Sequence, residues 1–120
     1  MATATSHRDG TLARRQALLR DARIALIRDH GAQVSLDSVA RHVATSRRQL
    51  QRVFNELSEQ SFRDTLADIR MRHARSLLRE TDMPISRIAA AAGCSTPAQF
   101  SKAFRSYHGT TPRAYRGAQQ

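Results

Sequence analysis

Residues 62–80 read FRDTLADIRMRHARSLLRE, and the two-sided pattern of this stretch decides how the rest of the chain is arranged. At about 100° per residue, Leu66, Ile69, His73 and Leu77 fall in one stripe and Ala67, Met71, Ala74 and Leu78 in a second, with Asp68, Arg72, Arg75 and Arg79 opposite. A helix with two apolar stripes has something packed on each. The expectation is that each stripe carries one small lobe and that this linker helix, residues 61–80, sets their spacing.

The flanks supply two matching lobes. Before the linker, Leu36, Val39, Ala40 and Val43 mark a short helix, Thr45 and Ser46 interrupt it, and Leu50, Val53, Phe54 and Leu57 mark a longer one starting at Arg47. After it, Ile85, Ile88, Ala89 and Ala92 repeat the first set at an offset of 49 residues, and Phe100, Ala103, Phe104 and Tyr107 repeat the second at an offset of 50. The extra residue falls in or just after the turn. A short helix, a tight turn and a longer helix make a helix-turn-helix unit, here present twice.

Local signals place the ends. Ser35 caps the first short helix with Asp37 beside it, and Ser38 stands where a full capping box takes Glu or Gln, which predicts a partial box. Ser46 and Thr96 cap the longer helices, Gly93 sits in the second turn, and Pro84 suits the first position of its helix. Upstream, a helix runs from about Thr11 to His30 with Leu12, Leu19, Ala22, Leu26 and Ile27 facing inward, ended by Gly31. Downstream, Thr111 and Pro112 open a last short helix from which Tyr115 packs back. The predicted fold is all-α, with two helix-turn-helix lobes joined by a long linker helix and about seven helices. Residues 1–10 read as a disordered tail, 11–60 as the first lobe, 81–116 as the second and 117–120 as a frayed end.

Composition bounds the function. Twenty Lys and Arg against ten Asp and Glu leave a net charge of +10 over 120 residues, the electrostatic footprint of a nucleic-acid binder. Nothing approaches the ~18–20 apolar residues of a membrane span, which predicts no membrane partner, and the N-terminus lacks the apolar core of a signal peptide. The single cysteine, Cys94, excludes an internal disulfide and a multi-thiolate metal site and fits a reducing, cytoplasmic setting, where a DNA binder is expected to be nucleoid-associated. Cys94 reads as a small core residue. The five histidines show no ligand spacing, and His73 reads as a packed histidine. No nucleophile motif, phosphate loop or carboxylate pair stands out, so no enzyme, catalytic residue, metal or cofactor is expected.

In a helix-turn-helix the second helix enters the major groove and reads base edges with its N-terminal half, while capped helix ends and basic side chains hold phosphates. With Leu50, Val53 and Phe54 turned inward, the first recognition helix presents Arg47, Arg48, Gln49, Gln51 and Arg52, and no acid precedes Glu56. Arg pairs bidentately with guanine and Gln with adenine. The second presents Pro97, Ala98, Gln99, Ser101, Lys102 and Arg105. Base reading is assigned to Arg48, Gln49, Gln51, Arg52, Ala98, Gln99 and Lys102, and phosphate binding to Ser46, Arg47, Thr96, Ser101 and Arg105. The first unit is expected to discriminate more and the second to position more.

The stretch IAAAAGCSTPAQFSKAFRSYHGTTPRAYR, Ile88 to Arg116, is similar to the pattern of the AraC/XylS family of bacterial transcription regulators, and RMRHARSLL, Arg70 to Leu78, resembles that family's linker-helix motif. The resemblance spans about Ser35 to Arg116. It implies seven helices, recognition helices in successive major grooves of double-stranded DNA, activation by recruiting RNA polymerase, and base reading by Arg48, Gln51 and Arg52 in the first helix and Ala98, Gln99 and Lys102 in the second. A linker of ~18 residues spans about 27 Å, near one DNA turn of ~34 Å. A monomer on DNA is expected. The family commonly has glycine at Ala44 and at Glu59, so backbone strain is expected in the first turn and before the linker. It commonly has Phe at Cys94, so a smaller local core is expected there. No effector domain fits in the chain, which reads either as a short stand-alone regulator or as a fragment of a longer one. The alternative reading is a nonspecific architectural DNA binder or a helical protein-interaction module.

Overall fold

The structure, a computed structural model, describes the backbone of residues 2–119 and the side chains of residues 10–118. Among the described residues seven helices follow one another: α1 (Ala2–Arg28), α2 (Leu36–His42), α3 (Arg47–Leu57), α4 (Phe62–Glu80), α5 (Ile85–Ala91), α6 (Pro97–His108) and α7 (Pro112–Gln119). No strand occurs among the described residues, and no described helix is long and apolar enough to cross a membrane.

Two compact units result. The first comprises Met1–Asp29 and Val34–Thr65, the second His30–Gln33 and Leu66–Gln120. These bounds differ from those read off the sequence. The linker helix is not a separate element between lobes: Phe62 and Thr65, both buried in its first turn, belong to the first unit, and everything from Leu66 onward to the second.

In the first unit, α1, α2 and α3 pack against one another. Leu19, Ala22 and Leu26 of α1, Val39 and Ala40 of α2, Leu50, Val53 and Phe54 of α3, and Phe62 are buried, with the Phe54 and Phe62 rings edge-on at 5.5 Å. The buried stripe of α1 is narrower than the sequence predicts. Ile27 is 64% exposed and Leu12 45% exposed, because Leu19, Ala22 and Leu26 at helical spacing already fill the contact and Ile27 is turned about 100° from Leu26. The helix also starts earlier than expected. Ala2 to Gly10, read as tail, continue α1, since each residue added to an anchored helix gains a backbone hydrogen bond without a new nucleation cost. The tail assignment of Met1 lies outside the described residues.

The second unit is built on Met71, Ala74 and Leu78 of α4, Ile88, Ala89 and Ala92 of α5 and Phe100 and Phe104 of α6, with Leu77, Met83, Ile85, Cys94, Ala103 and Tyr115 at its rim. Leu77 lies in the first stripe of α4 yet packs with the second, so the stripes do not serve one lobe each. Tyr115 meets Phe104 at 5.8 Å, as the sequence predicts. Tyr107 does not follow Leu57 inward and is 42% exposed; at that end His108 covers Phe104 at 4.5 Å, its Nε2 lying 3.0 Å from the Met71 carbonyl oxygen. Arg116 donates from Nε to the carbonyl of Leu78 and from Nη2 to that of Thr81, each at 3.2 Å, so α7 closes the C-terminal end of α4. The frayed end is likewise shorter than expected: α7 runs through Gly117 to Gln119, and Gln120 lies outside the described residues.

Candidate nucleic-acid interface

Both turns are the same hydrogen-bonded device. After α2, the Ala44 amide donates to the Arg41 carbonyl and the Thr45 amide to the Ala40 carbonyl; after α5, Gly93 donates to Ala90 and Cys94 to Ala89. This double bond pattern is the Schellman helix stop, and it puts the residue after the cap in the left-handed region. Ala44 has φ 60 and Gly93 has φ 76. Ala44 is the one non-glycine residue with positive φ among the described residues, so the strain expected at the first turn is real and that expected at Glu59 is absent.

From these turns the recognition helices start with matched caps. The Gln49 amide donates to Ser46 Oγ at 3.1 Å and the Gln99 amide to Thr96 Oγ1 at 3.1 Å. Each hydroxyl therefore accepts from its own helix and keeps its hydrogen to donate outward. The short helices are capped differently. Ser38 completes the capping box at Ser35, its Oγ accepting the Ser35 amide at 2.9 Å while Ser35 Oγ accepts the Ser38 amide at 3.1 Å, so serine does the work expected of Glu or Gln. Pro84 is the N-cap of α5 rather than its first residue, with φ -56 and ψ 143.

On α3, Arg47, Arg48, Gln49, Gln51 and Arg52 are all exposed, on the side opposite Leu50, Val53 and Phe54. Arg47 leans on Asp37 at 3.8 Å, and Arg48 makes no ion pair among the described residues. Arg52 lies 3.6 Å from Glu56 Oε1 through Nε, and Glu56 Oε2 is held by Arg15 of α1 at 2.6 Å. The hydrogen bond and charge of Arg15 pull the Glu56 carboxyl below its ordinary range. Arg23 of α1 adds a bond to Ser58 Oγ at 2.9 Å, so α1 braces the C-terminal end of α3 at two points. This brace was not read from the sequence, because Arg15 and Glu56 stand 41 residues apart; the only local signal was the spacing of Arg52 and Glu56.

On α6, Ala98, Gln99, Lys102 and Arg105 are exposed and Ser101 is half-buried. Gln99 is not idle: its Oε1 accepts the Ser95 amide at 3.1 Å. A glutamine reads adenine bidentately by accepting from N6 and donating to N7, and in this arrangement the Ser95 amide occupies one of the two acceptor sites of the Gln99 oxygen. Gln49, at the corresponding position of α3, makes no such bond among the described residues. The α6 end is also the poorer in free amides, since Pro97 has none at the position where Arg47 offers one.

Arg70 underlies the second turn. Its Nε donates to the His30 carbonyl at 2.8 Å and its Nη2 to the Gly31 carbonyl at 2.6 Å, and a Cβ placed on Gly93 would come within 2.8 Å of its Nη1. Glycine is thus favoured at 93 twice over, by φ and by this approach. Burial draws the Arg70 guanidinium below its usual range and pushes the Cys94 thiol up, each partly offset by the other's charge. Cys94 is half-buried at the rim of the core, in agreement with its reading as a packing residue.

Comparison with known proteins agrees with this geometry. Residues 39–118 match the family described as helix-turn-helix domain. The chain is 43% identical over 79 residues to the HTH-type transcriptional regulator GlxA of Rhizobium meliloti, covering 66% of this chain and 24% of that protein. It spans about a quarter of the length of the curated relatives it matches. Among solved structures it resembles an AraC-type transcriptional regulator from Chromobacterium violaceum, with 31% identity, a TM-score of 0.77 and coverage of 89% of this chain and 96% of that one. It also resembles the DNA-binding domain of AdpA, a global transcriptional factor solved with a target DNA, with 29% identity, a TM-score of 0.70 and coverage of 84% and 90%. Two helix-turn-helix units with like turns, matched caps and outward cationic recognition faces are the working parts of one known kind of regulator: the chain belongs to the AraC-type helix-turn-helix family of transcriptional regulators and carries that family's DNA-binding domain.

Proposed function

We propose that this chain binds double-stranded DNA sequence-specifically, with α3 and α6 in successive major grooves, and acts as a transcription activator that recruits RNA polymerase. The observation that carries the reading is the outward face of α3, where Arg48, Gln49, Gln51 and Arg52 project from a capped helix end whose inward positions are fully committed to the core. Arg48 and Arg52 pair with guanine and Gln49 and Gln51 with adenine, each bidentate pair being worth about 1–3 kcal/mol of discrimination. Ser46 and Arg47 hold a phosphate beside them, where the unpaired first-turn amides and the positive helix end favour an anion. At α6, Thr96, Ser101 and Arg105 hold phosphate, Lys102 meets phosphate or guanine, and Ala98 touches a thymine methyl. Gln99 donates from its amide nitrogen while its oxygen accepts the Ser95 amide. The chain works as a monomer on its site, in the cytoplasm and at the nucleoid. Two similar proteins support the DNA and activator parts of the reading: AdpA, whose DNA-binding domain is solved in complex with a target DNA, and the transcriptional activator PerA of Escherichia coli.

Selection of sites from a random duplex pool, followed by binding at several salt concentrations, tests it. A defined two-part site bound ~10³-fold or more tightly than random DNA is expected. A ratio near one with a steep salt slope on every sequence would identify a nonspecific architectural binder instead.

A further inference from the structure

The acidic residue at the end of the reading face braces α3 against α1, but neither base reading nor phosphate binding uses it. Glu56 sits one helical turn beyond Arg52 on α3, and DNA phosphates repel a carboxylate, so for plain DNA affinity a neutral residue would serve better here. Its contacts point elsewhere. Oε2 is fixed by Arg15 at 2.6 Å, leaving Oε1 facing Arg52 Nε at 3.6 Å. Arg15 itself comes from α1, whose Arg23 grips Ser58 just past the end of α3, so the carboxylate is tied to a second helix and does not swing with its own rotamers alone. The nearest approach to Glu56 is through Nε of Arg52, which leaves the paired Nη groups, the donors that match guanine O6 and N7, turned to the other end of the guanidinium.

We propose that Glu56 is a specificity-determining positioning residue. Anchored by Arg15, it orients Arg52 for a guanine edge and penalises its capture by backbone phosphate. The inference rests on Arg52 being a base contact, as proposed above. A charge fixed this way costs total affinity and increases the difference between right and wrong sequences, because Arg52 must leave its carboxylate partner to serve a phosphate but keeps it while its Nη groups serve a base edge.

The experiment uses the full chain, the site recovered from the random pool, its single-base variants and a random duplex. Arg52→Ala should abolish preference at one base pair. Glu56→Gln should reduce preference at that same base pair about two- to five-fold, the range of exposed ion-pair effects, while binding random DNA about two-fold more tightly. Arg15→Met should reproduce the loss of preference in the native background and add nothing in the Glu56→Gln background. A merely structural role for Glu56 would weaken binding to every sequence together and lower the melting temperature. Unchanged preference in Glu56→Gln, with preference lost in Arg52→Ala, overturns the positioning role alone. Preference retained in Arg52→Ala overturns the base contact as well.

Discussion

At Ala44 the backbone turns left-handed around a side chain that resists it, while the same turn in the second unit uses Gly93. A left-handed non-glycine residue costs about 1–2 kcal/mol, partly offset by glycine's greater freedom in the unfolded chain. Ala44→Gly should therefore stabilise the protein by about 1 kcal/mol and raise the melting temperature by roughly 4 °C. Gly93→Ala should cost more than ~2 kcal/mol, since its Cβ also meets the Arg70 guanidinium, and thermal melts of both variants check the pair. His73 offers a second test. Burial, and then the charge of His30, whose ring stands edge-on at 4.7 Å, hold it below its ordinary value of 6.5. A histidine depressed on folding binds fewer protons than in the unfolded chain, so its contribution is complete above about pH 6.5 and is lost as pH falls toward its lowered value. Melting temperature should drop between about pH 7 and pH 5, and His73→Gln should flatten that drop. The strain at Ala44 was legible through the family resemblance. The His30 contact was not, because it joins residues 43 positions apart that no periodicity relates.

Helix ends and helix faces were the best-read elements, since both are local. Ser46, Thr96 and Thr111 cap as the sequence predicts, and the inward positions of α2, α3, α5 and α6 repeat as 3.6-residue spacing requires, apart from Tyr107. Ser38 was underrated because the capping-box pattern is written for longer side chains, yet a hydroxyl reaches the Ser35 amide at 2.9 Å. Ser35→Ala and Ser38→Ala should each lower stability by about 1 kcal/mol, and the double variant should lose less than the sum because the two bonds form one reciprocal motif. Equilibrium denaturation of the three variants decides this. The brace from α1 to the end of α3 was beyond such reading, since nothing within either helix announces its partner. On the recognition faces the sequence placed the residues on the right sides of α3 and α6 but did not foresee that Gln99 is partly spent on the Ser95 amide.

For the whole molecule, the all-α architecture and its repeat were legible because apolar spacing alone dictates them, while the unit boundaries were not. The two stripes of α4 suggested a helix shared side by side, whereas its buried Met71, Ala74 and Leu78 all serve the second unit. Leu78→Ala should accordingly cost about 2–5 kcal/mol. Hydrogen exchange should show the loss of protection in α5, α6 and α7, with α2 and α3 keeping theirs; equal loss in both sets would contradict the division. The short segment His30–Gln33 has a consequence of another kind. It lies in sequence between α1 and α2 of the first unit, yet Arg70 holds two of its carbonyls within the second. The chain therefore passes between units three times, and neither unit is a contiguous piece of polypeptide. No single proteolytic cut separates the two units with both left whole. A fragment beginning at Leu66 would leave the Arg70 donors without their acceptors, and during synthesis His30–Gln33 cannot join the second unit until Arg70, 39 residues beyond Gly31, has emerged and folded back to meet them.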